Sequence, residues 1–257
     1  MSRYIPLSPQ RFNDLRWQRF RDYRHAAGFH LIPVAAPEAS AAAAHLPLAF
    51  IRDPEGKGSL CALLGLREGE NHCLDAKHAW QVGYTPALLR SHPFRLLPPP
   101  KGQGEPHQRV LCVDMESPWV GPEGDQAFLE DGQMTMAVKE IFEFLGALTQ
   151  HLLRTEQAVA ALDEAKLLTA WKLEDEQGQV IKGLRRVDEA RLNKLDPSTL
   201  AVLHAKGSLA LAYAQLISTH QWPALKARAL RARQPAPKDD LSKFFPDHTG
   251  LQFDFDR

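Results

Sequence analysis

The sequence predicts an α+β fold, with mainly antiparallel strands in the N-terminal half and helices plus one hairpin in the C-terminal half. Three observations predict it. First, short apolar runs separated by turns fill residues 28–115: GFHLIPVA, PLAFIRD, SLCALLGL, FRLLP and RVLCVDM. Strands joined by turns this tight pair antiparallel, because parallel neighbours need a long crossover. Second, Val138, Ile141, Phe142, Leu145, Leu148, Leu152, Val159 and Leu162 recur at helical spacing, which predicts one long helix over about 136–165. Third, AWKLEDEQGQVIKGLRRVD reads as a hairpin turning near Gln177 and Gly178, and helical patterns follow it.

Residues 1–27 are polar, arginine-rich and aromatic. GFHLIPVA is a short strand, with Pro33 at its edge or end because proline gives a ladder no N–H. Residues 37–46 open on proline and are alanine-rich, which predicts a helix that Pro47 stops. PLAFIRD and SLCALLGL form a hairpin about PEGKG, and REGEN is the next turn. In HCLDAKHAWQ, alternation predicts a strand to Leu74 and a turn through Asp75 to His78. TPALLRSH predicts a short helix capped by Thr85, with Pro86 at its first position and Pro93 beyond its end. PPKGQGEPHQ and residues 116–135 read as loops; Glu130 and Asp131 in the second favour the start of the long helix. DEARLNKL, 197–206 and 208–218 are helical, and the last is apolar almost all round, so its burial is expected. Residues 1–231 are expected to form one domain, and the proline- and phenylalanine-containing stretch 232–257 a tail that is mobile or docked.

A chain of 257 residues can bury a sizeable core without covalent staples. Lys plus Arg and Asp plus Glu both number 31, so no overall field draws the chain to nucleic acid or an anionic membrane. Cys61, Cys73 and Cys112 make no CxxC pair and read as reduced, buried thiols. The start lacks a signal-like apolar run, and no stretch approaches the length of a spanning helix. A cytoplasmic location without a transmembrane segment is the expectation.

Phosphate-binding GxxxxGK[ST], strand-embedded GxGxxG, GxSxG and HExxH are all absent. His72, Asp75 and His78 offer two imidazoles and a carboxylate, the donor set of an open iron or zinc site, but such loop residues more commonly cap backbone groups. Cys73 and its neighbour His72 would point to opposite faces of a strand, which opposes a thiolate–imidazole pair. His92 sits where an imidazole can satisfy a carbonyl at a helix end. Asp114 and Glu116 share one face at a strand end, a placement suited to acid–base work or to closing a loop. Trp80, Tyr84, Phe94 and Trp119, with Arg90 and Arg95, can line an amphipathic groove for a carboxylate or peptide terminus, or simply pack a core. The N-terminal arginines interleave with Phe12, Trp17, Phe20 and Tyr23, yet no nucleic-acid module accompanies them. ALKARALRAR, 224–233, reads as the solvated end of the final helix or as a basic face for an anionic partner.

In order, HLPLAFIRD, CALLGLREGENHCLDAKHAWQVGYTPALLRSHPF and LCVDMESPWV resemble the bacterial SapC-like family. Pro47 and Phe50 match its first strand, and Leu63 to Leu66 with Gly69 to Asn71 match its LLGL…GEN turn. Trp80, Gly83, Tyr84, Pro86, Ala87, Arg90, Pro93 and Phe94 match the third segment, and Leu111, Cys112, Asp114 and Ser117 the fourth. The resemblance covers roughly residues 25–225. It implies a partner or auxiliary role in the uptake or modification of a ligand and establishes no reaction. His72, Cys73 and His78 lie outside the family pattern.

The expectation is therefore a non-catalytic binding or auxiliary protein without cofactor or bound metal. Tyr84 would be an aromatic wall, Trp80 a second wall, Arg90 an anion contact and Asp114 a hydrogen-bond acceptor. The partner would be a protein or a small molecule, and an oligomer is compatible with this. One alternative is an enzyme with Asp114 or Glu116 as base and a metal on His72, Asp75 and His78. The other is a surface-layer-related structural protein.

Overall fold

The computed structural model describes residues 3–99, 108–175 and 177–233. The chain opens with β1 (Tyr4–Pro6), α1 (Pro9–Phe12) and β2 (Arg16–Trp17). Next come β3 (Leu31–Pro33), α2 (Ala39–Ala43), β4 (Leu48–Arg52) and β5 (Gly58–Leu63). β6 (Phe94–Leu97) and β7 (Val110–Asp114) follow. Four two-residue strands lie between β7 and the long helix: β8 (Val120–Gly121), β9 (Gln126–Ala127), β10 (Leu129–Glu130) and β11 (Gln133–Met134). The long helix is α3 (Met136–Glu164). After it come β12 (Leu168–Ala170), β13 (Leu173–Glu174), β14 (Val180–Ile181) and β15 (Arg185–Val187). Helices α4 (Glu189–Leu192), α5 (Pro197–Ala205), α6 (Ser208–Ser218) and α7 (Trp222–Arg233) complete the order. The architecture is α+β with antiparallel sheets, as the turn spacing predicted.

The largest sheet runs β12-β15-β4-β5-β3. Leu48 opposes Ala62 and Arg52 opposes Gly58 across the β4–β5 hairpin, while β3 adds to the other side of β5. Leu60 to Leu63 are all buried, which explains their uninterrupted apolar run: both faces of β5 are covered. The main core joins this sheet to α2, α6, α7 and the C-terminal part of α3 through Ala158, Val159 and Leu162. A second core gathers Phe12, Trp17, Phe94, Val113 and Phe128 around the β1-β7-β6 sheet. Val138 and Leu145 of α3 belong to it. A 29-residue helix is about 43 Å long, so α3 reaches both cores. No single helix among the described residues is long and apolar enough to cross a membrane.

Four local expectations change. The strand expected up to Leu74 is reduced to one bridge, Leu74 with Trp80. The Asp75 carboxylate takes the N–H groups of Lys77 at 2.8 Å and Ala79 at 2.9 Å, so turn chemistry overrides alternation. TPALLRSH forms only a 3-10 turn at Ala87–Leu89, because Pro86 is extended (φ −53°, ψ 140°) and cannot be its first helical residue. The 116–135 loop carries the short strands β8 to β11. Helix α6 is not fully buried: Tyr213 and Ile217 are 50% and 62% exposed. The expected tail falls almost wholly outside the described residues; only 232 and 233 are seen, as the end of α7. Most of the PPKGQGEPHQ loop also lies outside them.

Gly65, in the LLGL segment, has no room for a side chain. A Cβ there would stand 2.1 Å from the Glu70 carbonyl oxygen and 3.3 Å from His30 Cα, both backbone atoms. Gly65→Ala is expected to destabilise the fold by about 2–3 kcal/mol through overpacking, read as a lower urea midpoint with an unchanged m-value. An unchanged midpoint would show that the REGEN turn yields freely.

Candidate functional site

The first cluster is organised by Glu38, which is 8% exposed. It ends the 3-10 turn Ala36–Glu38 that leads into α2. N–H groups at a helix start have no partner within the helix. Ala35 has no side-chain acceptor, so Glu38 reaches back alone: its Oε1 accepts from Ala35 N at 3.0 Å. Thr155 Oγ1 of α3 accepts from Ala36 N at 2.8 Å. The other Glu38 oxygen accepts from the Tyr84 hydroxyl at 2.7 Å and from Ala87 N at 2.8 Å. Trp80 Nε1 in turn donates to the Tyr84 carbonyl at 3.0 Å. The WQVGYTPA segment is thus folded over a buried carboxylate. Burial, and then the Glu38 carboxylate, push the Tyr84 hydroxyl above the ordinary tyrosine pKa.

The second cluster joins the N-terminal segment to β6 and β7. The imidazoles of His25 and His92 are stacked, with centroids 3.9 Å apart and planes within 3°. His25 Nε2 lies 3.3 Å from the Leu89 carbonyl. A carbonyl only accepts, so the proton sits on Nε2. His25 Nδ1 is then a bare acceptor, and it is buried without a partner. His92 Nε2 lies 2.8 Å from Ser117 Oγ. The imidazole that meets a carbonyl at the end of the Ala87–Leu89 turn is therefore His25, not His92 as expected. Phe20 sets its edge against both rings, and Tyr23 links His25 to Trp80 with centroids 5.8 and 5.4 Å away. Burial drives the His25 pKa down to about 4. Burial, then His25 and Arg95, drives His92 down to about 3. Both rings are neutral at pH 7. Arg95 lies over the rings of Tyr4 and Phe29, at 5.2 and 5.6 Å.

The expected binding residues divide between these places. Trp80 and Tyr84 come together at Glu38. Arg90 is exposed beside them, with its guanidinium 5.8 Å from the Phe144 ring. Asp114 belongs to the second cluster: it is 3% exposed and accepts from Arg3 N at 3.1 Å and Glu116 N at 3.2 Å. Glu116 is exposed, so the two carboxylates do not face one another as a pair. His72, Asp75 and His78 do not converge. His72 Nε2 turns to Glu70 at 3.1 Å, Asp75 is taken up by its turn, and the His78 carbonyl accepts from Tyr23 N. Among the described residues no three of His, Cys, Asp and Glu form a metal-holding group. Cys73 is fully buried, and burial pushes its thiol up to about 12. Phe12 and Trp17 are core residues, which removes them from any base-stacking surface.

Sequence reasoning missed Glu38, His25 and the Ser117 partner of His92. Glu38 had a local signal, a carboxylate in the first turn after Pro37. The histidine stack had none, because its members are 67 positions apart in the chain.

No curated protein and no solved structure matches this chain. A family model does, and its match spans residues 7–225, taking in both cores, α3 and both clusters. The segments that fold over Glu38 and close the second sheet are the ones that carried the resemblance, and the chain belongs to the SapC family.

Proposed function

We propose that the protein is a non-catalytic binding or auxiliary protein that meets a ligand or partner through the surface carrying Trp80, Tyr84 and Arg90. The observation behind this reading is that the acids and imidazoles are committed to the fold. Glu38 accepts three hydrogen bonds and Asp114 two, all from groups that hold chain segments together. The pKa displacements point the same way. A general acid or base works best near the operating pH, whereas His25 and His92 are driven down and Tyr84 and Cys73 are driven up. Arg90, exposed over an aromatic ring, keeps a planar fork available for an anionic group. An auxiliary role in ligand uptake or modification fits a protein that presents a ligand without transforming it.

The test is native mass spectrometry of protein purified from its own host without chelators. The expected result is a retained organic ligand or partner that Arg90→Ala releases. One observation favours a second reading: the Ser117–His92 contact at 2.8 Å is the geometry of a hydroxyl nucleophile and its base. Ser117 is only 5% exposed and its imidazole partner is a weak base, so fluorophosphonate probes are expected to leave it unlabelled. Stoichiometric labelling of Ser117 would overturn the binding reading and establish an active serine.

A further inference from the structure

Residues 18–29 form a strap between Trp17, in the second core, and β3 of the main sheet. Ala26 is its one fully buried residue, and Tyr23 and Phe29 pack part-buried against the main core. A segment with so little buried apolar surface opens at lower cost than a covered sheet. Its hydrogen bonds to the body are spread thinly. Gln18 N donates to the Trp119 carbonyl at 3.0 Å and Tyr23 N to the His78 carbonyl at 2.9 Å. Asn71 Nδ2 donates to the Ala26 carbonyl at 2.9 Å. The strap also covers part of the candidate surface: the Tyr23 ring lies 5.4 Å from that of Trp80.

The histidine stack fastens this strap. His25 belongs to the strap and His92 to the body, with centroids 3.9 Å apart and Phe20 of the strap edge-on to both. His25 Nε2 already serves the Leu89 carbonyl, so a second proton must enter at Nδ1. Nδ1 is sealed and has no partner, so that proton would become a buried donor without an acceptor. With His92 also charged, two positive rings would lie face to face. The surrounding charges do not offset this. Asp22, on the strap, is held by Arg24 at 2.7 Å. Asp114 of β7 accepts from Arg3 N and Glu116 N. Arg95 of β6 adds a third positive charge. The Tyr23 ring and the Ser117 hydroxyl complete the surroundings and are neutral. Burial holds both imidazoles neutral at pH 7, which keeps the strap fastened there.

We propose that the His25–His92 stack is an acid-released latch, whose protonation frees residues 18–29 from the body and uncovers Trp80 while the main sheet stays formed. Opening gives both rings to water, where they ionise near the ordinary value of about 6.5. The strap is therefore closed above that pH and loosens as pH falls below it. Release stops at Trp17, which is 2% exposed, and at His30, whose carbonyl accepts from Leu64 N at 2.8 Å. The consequence for a ligand rests on the proposed role of the Trp80, Tyr84 and Arg90 surface; the release itself does not.

Hydrogen exchange of the full chain decides it, read by mass spectrometry at pH 7 and pH 5 and corrected for the intrinsic effect of pH on exchange. Protection of the amides of residues 18–29 is expected to fall about a hundredfold between the two, because the open strap takes up two extra protons. At pH 5 it should lie well below the protection of the β4–β5 amides. His25→Gln keeps a donor for the Leu89 carbonyl and leaves one titrating ring, so only about a tenfold fall is expected. His25→Gln/His92→Gln is expected to show no fall; if that variant does not fold, the single variant still decides. Strap protection that is independent of pH would overturn the proposal. So would a fall shared equally by the β4–β5 amides, or one of the same size in His25→Gln. No ligand enters the measurement, so its failure is distinct from failure of the native mass spectrometry.

Discussion

Glu38→Ala is expected to cost about 4 kcal/mol of stability, because it orphans two buried backbone N–H groups and the Tyr84 hydroxyl together. Each stranded buried donor costs about 1–3 kcal/mol, whereas loss of a single satisfied bond costs about 1. Tyr84→Phe, which removes only the hydroxyl donor, is therefore expected to cost about 1 kcal/mol. For a chain of this size the Glu38 change corresponds to a melting temperature lower by roughly 10 °C. The double variant is expected to be less destabilised than the sum of the singles, since Tyr84 has no acceptor left to lose once Glu38 is gone. Urea unfolding of the four proteins checks the cycle. Equal costs for Glu38→Ala and Tyr84→Phe would show that the 35–38 and 84–87 segments are held by packing alone. The Tyr84 hydroxyl adds a weaker pH effect. Its folded pKa is raised, so its contribution is complete below the ordinary value near 10 and declines as pH rises beyond it.

Acid is expected to destabilise the protein through its stacked histidines, before its carboxylates protonate. The folded pKa values are lowered to about 4 for His25 and about 3 for His92, below the ordinary 6.5. Between about pH 6.5 and 4 the unfolded chain therefore binds more protons than the folded one, and stability rises with pH. The contribution is present above pH 6.5 and is lost as pH falls through that window. At about 1.36 kcal/mol per unit of displacement, the pair accounts for on the order of 5 kcal/mol by pH 4. The rings touch, so their protonation is coupled and the two shares do not add simply. Carboxylates whose pKa is lowered by arginine partners, such as Asp163 beside Arg185 and Arg52, lose their contribution below this window. Urea midpoints measured from pH 7.5 to 4 should fall steeply in the wild type and much less in a His25→Gln/His92→Gln variant. Parallel curves for the two proteins would assign the acid sensitivity to other groups.

Much of the fold is local and was legible in the sequence. The long helix was readable because the apolar positions from Val138 to Leu162 repeat within single turns of backbone. The β4–β5 hairpin was readable because its apolar runs flank a turn whose Gly56 takes φ +87°. Two misjudged segments have local causes that the apolar pattern does not carry. At Asp75 a carboxylate gathers two N–H groups and converts an expected strand into a turn. At Pro86 an extended backbone leaves room only for a 3-10 turn.

The candidate site divides in the same way. Trp80, Tyr84, Arg90 and Asp114 were identifiable as residue types in family segments, because a motif is a property of adjacent positions. Their partners were not. Tyr84 reaches Glu38 across 46 positions, His25 meets Leu89 across 64, and His92 meets Ser117 across 25. Helical and strand periodicity fixes which way a side chain points relative to its own neighbours, and the sequence by itself therefore determined the α+β class, the long helix and the hairpins. Whether a carboxylate is buried or an imidazole neutral depends on what the rest of the chain brings within about 3 Å of it. Only the tertiary structure decided that.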